Sequence, residues 1–413
     1  MAPVGSRESL AAALEAGADA IYFGIEGLNM RARSSANFTA DDMAEIAELC
    51  ASRGVKTYLT VNTIIYDGDM ELMHTIVDRA HAAGISAIIA SDMAVILYAR
   101  QIDQEVHIST QVNVSNIEAV RFYAQFADVM VLARELNMEQ VAGISKAIHE
   151  EGIRGPRGEL VRLEMFCHGA LCMAVSGKCY LSLHEMNSSA NRGSCNQICR
   201  RSYTVTDKET GAQLDVENQY IMSPKDLKTI HFLNKMVDAG VTVFKIEGRA
   251  RGPEYVHEAV QCYSQALEAI CDGTFSEEKI SEWEGRLGKI FNRGFWDGYY
   301  MGQRLGEWSA KYGSSATRRK KYIAKATRYF SKLGVGEFMM EAGELRPGDE
   351  VIVVGPTTGA LIFPVEELRY EAGPEPLVEK GHLFAMPVPA KIRPNDKLYL
   401  WENLETENKE DKK

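Results

Sequence analysis

The sequence predicts an α/β protein in which a (β/α)8 TIM-barrel-like domain with a cysteine-rich insertion is followed by a small all-β barrel domain. Short β-branched runs alternate with amphipathic helices through residues 1–275, which is typical of parallel strands joined by crossover helices. Five cysteines crowd into 164–203 and interrupt this alternation. Over 320–402 short strands and turns replace the helices, as in small barrels. We interpret 276–319 as an aromatic and basic connector, and 403–413 as a disordered tail because it is charged and almost devoid of apolar residues.

Eight strand–helix units make up the predicted barrel. The predicted strands cover 2–6, 20–26, 56–64, 86–92, 106–112, 128–135, 160–169 and 243–249. The predicted helices cover 6–18, 39–54, 69–84, 93–102, 116–126, 137–152, 223–240 and 252–273. Gly17, Gly84 and Gly240 stand where a glycine is expected just beyond a helix C-terminus. An open doubly wound sheet is the main competitor, but no G-x-G-x-x-G follows the first strand, which disfavours a dinucleotide-binding fold.

The cysteine-rich segment needs a chemical explanation. Cys167, Cys172, Cys179, Cys195 and Cys199 follow the spacing C-x4-C-x6-C-x15-C-x3-C. The chain opens without the basic and apolar regions of an export signal, so we expect a cytoplasmic protein, in which disulfides are disfavoured. The spacing leaves zinc and an iron–sulfur cluster open, because clusters tolerate irregular spacing and zinc sites usually show closer pairs. Buried thiols that act as small hydrophobic groups are the remaining alternative.

The charge distribution bears on possible partners. The net charge of −11 argues against a broad nucleic-acid-binding surface, and no apolar run is long enough to span a membrane. Residues 311–332 nevertheless contain no acid, and tyrosines flank Arg318, Arg319, Lys320 and Lys321. This segment is a candidate RNA contact through phosphate binding and base stacking. A solvated linker followed by an edge strand is the alternative.

Polar side chains gather at the predicted C-terminal ends of the strands, where a barrel carries its active site. They are Asn62, Asp92, Ser109, Gln111, Asn113, Arg134, Glu135, Glu164, His168, Lys245, Glu247 and Arg249. The period-2 alternation of a strand places Lys245, Glu247 and Arg249 on one face. Burying such a face is costly unless its charges are paired or used. The alternative to a functional site is a structural ion network at the barrel mouth.

Further site residues follow from their chemistry. Arg31 and Arg33 carry forked donors that suit carboxylates or phosphates, and Arg134 is a further candidate for substrate binding. A solvated loop that pairs with nearby acids is the alternative for the first two. The candidate catalytic residues are Glu247, His168 and Lys245, and the alternative for His168 is to support the ligands of a metal in the adjoining segment. No G-x-S-x-G, H-E-x-x-H or Walker sequence is present.

The block HGALCMAVSGKCYLS…NRGSCNQICRRSY resembles the peptidase U32 family, whose members are often named collagenase-like proteases. The stretches GADAIYFGIEGLNMRARSSANF, GVTVFKIEGRAR and NRGFWDGYY match it as well, so the resemblance covers nearly the whole chain. It implies more than the peptidase name, because similar members act in oxygen-independent hydroxylation. One branch forms 5-hydroxyuridine at the tRNA wobble position, with prephenate implicated as the oxygen source. A second branch hydroxylates a ribosomal RNA cytidine, and a third, shorter branch hydroxylates ubiquinone precursors.

The resemblance also implies a [4Fe–4S] cluster. Carried over position by position, its ligands are Cys172, Cys179, Cys195 and Cys199. Many members have another cysteine where this chain has Lys228, so Cys199 is expected to be the fourth ligand, with Cys167 in reserve.

The function predicted from the resemblance is hydroxylation of the tRNA wobble uridine with a prephenate-like oxygen donor. The C-terminal β domain favours RNA modification, because the quinone branch lacks this domain. The alternatives are a U32-type peptidase, hydroxylation of ribosomal RNA or of a quinone precursor, and a non-catalytic scaffold that carries a cluster for a partner protein.

Overall fold

The computed structural model describes residues 1–32, 38–201, 203–214, 222–303, 305–309, 313–370 and 373–404. Two large hydrophobic cores form within these ranges. One includes buried residues from Ala2 to Tyr300 and the other buried residues from Ile323 to Leu398. The chain therefore has an N-terminal α/β part and a C-terminal β part.

The α/β part is built on parallel strands. Its strands are β1 (Ala2–Pro3), β2 (Ala20–Phe23), β3 (Lys56–Val61), β4 (Ala87–Ala90), β5 (Val106–Ile108), β6 (Val129–Val131), β7 (Arg162–Gly169), β8 (Val205–Thr206), β9 (Gln213–Leu214), β10 (Asp226–Lys228), β11 (Val241–Ile246) and β12 (Phe295–Trp296). Strands β1 to β7 are neighbours in chain order and are all parallel, and β11 pairs in parallel with β7. The predicted parallel α/β sheet is thus confirmed.

Hydrogen bonds of Met1 join the first and last of these parallel strands. Its amino group donates to the carbonyl oxygen of Phe244 at 2.8 Å, and the N–H of Ile246 donates to the carbonyl oxygen of Met1 at 3.2 Å. Strands β1–β7 and β11 therefore form a ring of eight. Closure of the sheet removes its edges and brings the C-terminal ends of all eight strands to one mouth.

Helices follow the strands. They are α1 (Arg7–Glu15), α2 (Asp42–Ala51), α3 (Met70–Ala82), α4 (Met93–Gln101), α5 (Ile117–Tyr123), α6 (Met138–Glu151), α7 (Leu181–Met186), α8 (Leu233–Asp238), α9 (Pro253–Cys271) and α10 (Glu277–Lys289). Helix α3 illustrates their pattern, because its buried residues Met73, Ile76, Val77 and Ala80 follow helical spacing and form one apolar stripe. Such stripes cover the outside of the ring.

The helix predicted over 223–240 was wrong in extent. The helical part of that range is a 3-10 turn at Ile230–Phe232 followed by α8, because β10 precedes them and pairs antiparallel with the end of β7, Leu227 lying opposite Gly169. The residues predicted as a connector, 276–319, contain α10, whose Trp283 is buried and donates to Gln265 of α9 at 3.1 Å. Strand β12 then pairs in parallel with β10.

The C-terminal part is all-β, as predicted, and its main sheet is antiparallel, but closure of that sheet into the predicted small barrel is not seen among the described residues. Its strands are β13 (Arg318–Phe330), β14 (Val335–Met340), β15 (Glu344–Leu345), β16 (Glu350–Gly355), β17 (Gly359–Pro364), β18 (Arg369–Tyr370), β19 (Gly373–Pro374), β20 (Val378–Glu379), β21 (Leu383–Pro387) and β22 (Lys397–Asn403). The main sheet has the order β17-β16-β22-β13-β14-β21-β18-β19, and its two ends do not pair among the described residues. Asn403 belongs to β22 rather than to the predicted tail, and residues 405–413 lie outside the described ranges.

The two parts pack directly on each other. Ala12 of α1 joins Ile352, Ala360 and Trp401 of the C-terminal sheet in a small apolar cluster. Gly359 adopts φ +70°, and a Cβ there would lie 2.8 Å from the backbone nitrogen of Ala12, so a glycine permits this close approach. None of the described helices combines the length and the apolar character needed to cross a membrane.

Candidate functional site

A cavity of about 190 Å³ opens at the C-terminal ends of the ring strands. Asn62 and Ser109 line it directly after β3 and β5, Arg134 lines it after β6, and Lys245 does so near the end of β11. The segment between β7 and β10, which holds the cysteines, supplies much of the remaining wall. Polar residues from distant parts of the sequence therefore meet at one mouth of the ring. Asp92, by contrast, caps α4 through a bond from the N–H of Ala94.

Cationic side chains dominate this cavity. Those that line it are Arg31, Arg134, Arg200, Lys245, Arg249, Arg251 and Arg293. Among the described lining residues Glu247 is the sole carboxylate, and there is no aspartate or histidine. A cleft lined by charge of one sign attracts ligands of the opposite sign. The cavity is therefore suited to an anionic ligand, although the whole chain has a net charge of −11.

Glu247 is held by guanidinium groups. Arg31 Nη2 donates to its Oε1 at 2.8 Å. Burial alone would raise the pKa of Glu247, but the positive charges of Arg31, Arg251 and Arg134 outweigh burial and lower that pKa to about 2. Glu247 is therefore ionised at neutral pH and is a weak base. Arg33, the other arginine predicted in this loop, lies outside the described residues.

The pairing of Glu247 predicts a specific pH dependence of stability. A carboxylate whose pKa is lowered by folding stabilises the fold above its unfolded pKa, and that contribution is lost as the pH falls through the folded pKa. The wild type is therefore expected to lose this contribution between pH 4.5 and about pH 2. Urea unfolding across this pH window should show that Glu247→Gln loses less free energy of unfolding than the wild type does. In Arg31→Gln the loss of unfolding free energy should occur at higher pH. If both variants show the same pH dependence of unfolding free energy as the wild type, the pairing is contradicted.

Lys245 reaches into the ring beneath the cavity. Its Nζ donates to Glu164 Oε1 at 2.8 Å, and both side chains are almost wholly buried. Burial lowers the pKa of Lys245, although the carboxylate of Glu164 opposes this shift. The rings of Tyr22 and Phe166 lie 4.6 and 5.4 Å from the ammonium nitrogen. Lys245 therefore occupies a low-dielectric position beside an acid.

Two further predicted arginines are fixed by neighbouring groups. Arg249 donates to Thr60 Oγ1 at 2.9 Å and to Asn29 Oδ1 at 3.1 Å, and burial lowers its pKa to about 10. Arg134 lies with its guanidinium carbon 3.9 Å from the ring centre of Phe166, and its buried Nε has no hydrogen-bond partner in the described structure. Lys245 near the end of β11, and Glu247 and Arg249 just beyond that strand, all line the cavity, so the predicted series of alternate residues meets there.

Four cysteines border the same cavity. They are Cys172, Cys179, Cys195 and Cys199, and all four are free thiols. Burial raises the pKa of Cys199, while the neighbouring Arg200 opposes this. A Cβ at Gly193, where φ is +81°, would collide with the carbonyl oxygen of Asn29, so this glycine lets the segment lie close to the loop after β2.

The donor set is compatible with an iron–sulfur cluster. Four thiols from one segment line one cavity, and the guanidinium groups that line it as well would balance a negatively charged cluster. No group of three or more His, Cys, Asp or Glu side chains in the described ranges is arranged to hold a metal ion. The cluster therefore stays a proposal.

Cys167 and His168 do not line the cavity. The Cys167 thiol is buried and donates to the carbonyl oxygen of Lys245 at 3.4 Å. His168 is buried, with the rings of Tyr255 and Phe295 at 5.8 and 5.7 Å. Burial lowers the pKa of His168 to about 3. These positions support neither Cys167 as the reserve cluster ligand nor His168 as a proton carrier.

A β-bulge explains where His168 lies. Phe166 pairs with Lys245 and His168 pairs with Ile246, so Cys167 is an extra residue in β7. The inward series that begins with Glu164 and Phe166 therefore stops before His168.

Sequence reasoning missed three cations of the site, namely Arg200, Arg251 and Arg293. Signals for them exist in the sequence. Arg200 directly follows Cys199, and Arg251 continues the period-2 series beyond Arg249. Arg293 lies in a distant segment that only the pairing of β12 with β10 brings near.

The predicted RNA-binding residues are largely paired with acids. Arg318 pairs with Glu350, Arg319 Nε donates to Glu402 at 2.6 Å, and Lys320 Nζ donates to Glu254 of α9 at 2.7 Å. Lys321 is exposed on β13. Strand β13 lies between β22 and β14, so it is not the edge strand of the alternative interpretation. The pairing gives at least Lys320 a structural role between the two parts.

Several known proteins are similar to this chain over most of its length. A family model described as peptidase family U32 matches residues 5–310. A protein named collagenase from Porphyromonas gingivalis is 64% identical over 405 residues, which are 98% of this chain and 98% of that one. A tRNA hydroxylation protein from Bacillus subtilis is 30% identical over 382 residues, 91% of this chain and 87% of its own. A 23S rRNA 5-hydroxycytidine synthase from Escherichia coli is 34% identical over 303 residues, 70% of this chain and 43% of its own.

Proposed function

This chain belongs to peptidase family U32, and from that premise we propose that it hydroxylates RNA, specifically the wobble uridine of tRNA, without molecular oxygen. One observation carries the proposal, which is the cationic cavity bordered by four free thiols at the C-terminal mouth of the ring. Relatives named as tRNA and ribosomal RNA hydroxylating proteins match most of this chain and support it. The same relatives support an RNA substrate.

The chemistry defines what the site must hold. Replacing the C5–H bond of uridine by a C5–OH bond is a two-electron oxidation, so a co-substrate must supply the oxygen atom and accept two electrons. We assign this role to a prephenate-like dicarboxylate. Guanidinium groups bind carboxylates in a forked geometry, and Arg31, Arg134 and Arg249 are the proposed donors.

Cys172, Cys179, Cys195 and Cys199 would hold a [4Fe–4S] cluster, which would supply a redox or Lewis-acid centre beside the substrate.

The proposed proton carrier is Lys245 rather than Glu247. Burial lowers the pKa of Lys245, which eases loss of its proton, and Glu164 can take part in the transfer through their 2.8 Å hydrogen bond. Glu247 has a pKa near 2 and therefore orients Arg31 instead.

The collagenase name of the 64% identical relative favours a peptidase as the second candidate. The cavity offers little for hydrolysis. Its described lining has no histidine or aspartate to activate a nucleophile, and Ser109 donates to the amide oxygen of Gln111 rather than to a base. Gelatin cleavage that persists in Cys195→Ala would favour the peptidase.

Mass spectrometry of tRNA nucleosides tests the proposal. A deletion strain without a redundant homologue is expected to lose 5-hydroxyuridine and its derivatives. Wild type and Cys271→Ser, which changes an exposed cysteine at the end of α9, should restore them, and Cys195→Ala should not. Undiminished 5-hydroxyuridine in the deletion strain would refute the tRNA assignment. A loss of hydroxycytidine from ribosomal RNA instead would redirect it to that substrate.

A further inference from the structure

Exposed apolar side chains are concentrated in two short stretches. Among the described residues, sixteen large apolar side chains are exposed, and five of them lie between Met173 and Met186. Ile64 and Tyr66, in the loop after β3, add two more. Scattered exposed apolar residues are ordinary, but a concentration of them marks an interaction site. These seven side chains therefore need a partner.

Both stretches lie at the rim of the cationic cavity. Met173 and Val175 line the cavity while being 42% and 46% exposed. Tyr180 directly follows Cys179, another lining residue. We call the exposed apolar residues of 173–186, together with Ile64 and Tyr66, the rim.

The loop after β3 is tied to the same wall. The N–H of Ile64 donates to the carbonyl oxygen of Asn191 at 3.1 Å, and Arg192 Nη1 donates to the carbonyl oxygen of Ile64 at 2.7 Å. Ala190, in the same turn, lines the cavity. Tyr66 is thereby held near the mouth rather than on a remote surface.

The two aromatic members of the rim are largely exposed. Tyr180 is 75% exposed and Tyr66 is 59% exposed. The guanidinium of Arg192 lies 4.2 Å from the ring centre of Tyr66, and Lys178 is exposed between Val175 and Tyr180. Unpaired bases stack on tyrosine rings and guanidinium planes, and lysines bind the phosphates between the bases.

We propose that the rim is a stacking platform for unpaired RNA bases on either side of the target nucleotide, with Tyr180 and Tyr66 as its two aromatic faces. This inference rests on the proposed function. A base can reach a cavity only after leaving its stack, and its neighbours then lose a stacking surface. The rim replaces that surface. The positive charge of the cavity favours a polyanion over a peptide as the occupant.

Binding of a fluorescent tRNA anticodon stem-loop at fixed salt tests the platform. Tyr180→Ala and Tyr66→Ala are each expected to weaken binding by about 5- to 150-fold, the usual effect of losing one stacked base. Tyr180→Phe, which keeps the ring, should bind like the wild type. Phe122→Ala is the matched control, because Phe122 is 50% exposed on α5, outside the rim. A 2-aminopurine beside the target position should be quenched by the wild type and not by Tyr180→Ala.

Iron content is measured for each variant, to check that weaker RNA binding does not come from loss of the cluster. This control matters most for Tyr180, which adjoins Cys179, whereas Tyr66 adjoins no cysteine. If the wild type binds the stem-loop and both alanine variants bind equally well, the platform is overturned while the proposed function stands. If the wild type binds no RNA and the deletion strain keeps its hydroxylated nucleosides, the proposed function fails. Tyrosine-dependent binding of a collagen peptide, but not of the stem-loop, would also overturn the platform.

Discussion

Replacing Cys195 with alanine is expected to lower the iron content of the anaerobically purified protein from about four atoms per chain to near zero. The physical reason is that a [4Fe–4S] cluster takes one thiolate at each iron, and the described cavity wall offers four cysteines for this purpose. Hydroxylated tRNA nucleosides should disappear with the iron. Iron and sulfide analysis, together with the brown absorbance of the protein, measures the effect.

Matched variants identify the fourth ligand. Cys199→Ser should lose iron, because Cys199 lines the cavity. Cys167→Ser should keep it, because that thiol is buried and donates to the carbonyl oxygen of Lys245. Cys271→Ser, at an exposed position, is the neutral control. Iron retained in Cys199→Ser and lost in Cys167→Ser would reverse the assignment, and stoichiometric zinc in a colourless wild type would refute the cluster.

Local patterns predicted much of the fold. The helical spacing of α3 and the glycines after helices, such as Gly84, are set by neighbours within a few residues, and both appear as expected. The region 223–240 shows the limit of such patterns. Its apolar residues have helical spacing, but β10 forms there because the end of β7 offers a partner that is distant in sequence. Sheet pairing of this kind leaves little trace in a local pattern.

Residues of the site were predictable where side chains at every second position of a segment reach the cavity. Lys245, Glu247 and Arg249 follow one another at every second residue and all line the cavity, although β11 itself ends at Ile246. His168 departs from the expectation because a single extra residue, Cys167, interrupts the pairing of β7 with β11. Register shifts depend on the partner strand, so the sequence of β7 alone does not reveal them.

Variants of the buried ion pair between Lys245 and Glu164 test whether this pair serves stability or catalysis. Replacing Lys245 with methionine is expected to lower the free energy of unfolding by about 3–5 kcal/mol, because removal of one partner leaves a buried, uncompensated charge. Glu164 is wholly buried, its Oε1 would lose the 2.8 Å bond, and its Oε2 has no hydrogen-bond partner in the described structure, lying 4.0 Å from His107 Nδ1. Urea unfolding at neutral pH measures the loss. The exposed pair of Arg7 and Asp42 provides the comparison, because such pairs contribute only about 0–1 kcal/mol.

A double variant decides what the pair is for. Lys245→Met combined with Glu164→Leu removes both charges, and replacing a buried pair by apolar side chains is often neutral for stability. The double variant is therefore expected to recover most of the stability that Lys245→Met loses, and to retain iron, since neither residue is a cysteine ligand. It should nevertheless fail to restore 5-hydroxyuridine, because the proposed proton carrier is gone. A stable double variant that restores the nucleoside fully would assign Lys245 and Glu164 to a structural ion network instead. If Lys245→Met lowers the free energy of unfolding by less than about 1 kcal/mol, another group or a bound proton neutralises the charge of Glu164.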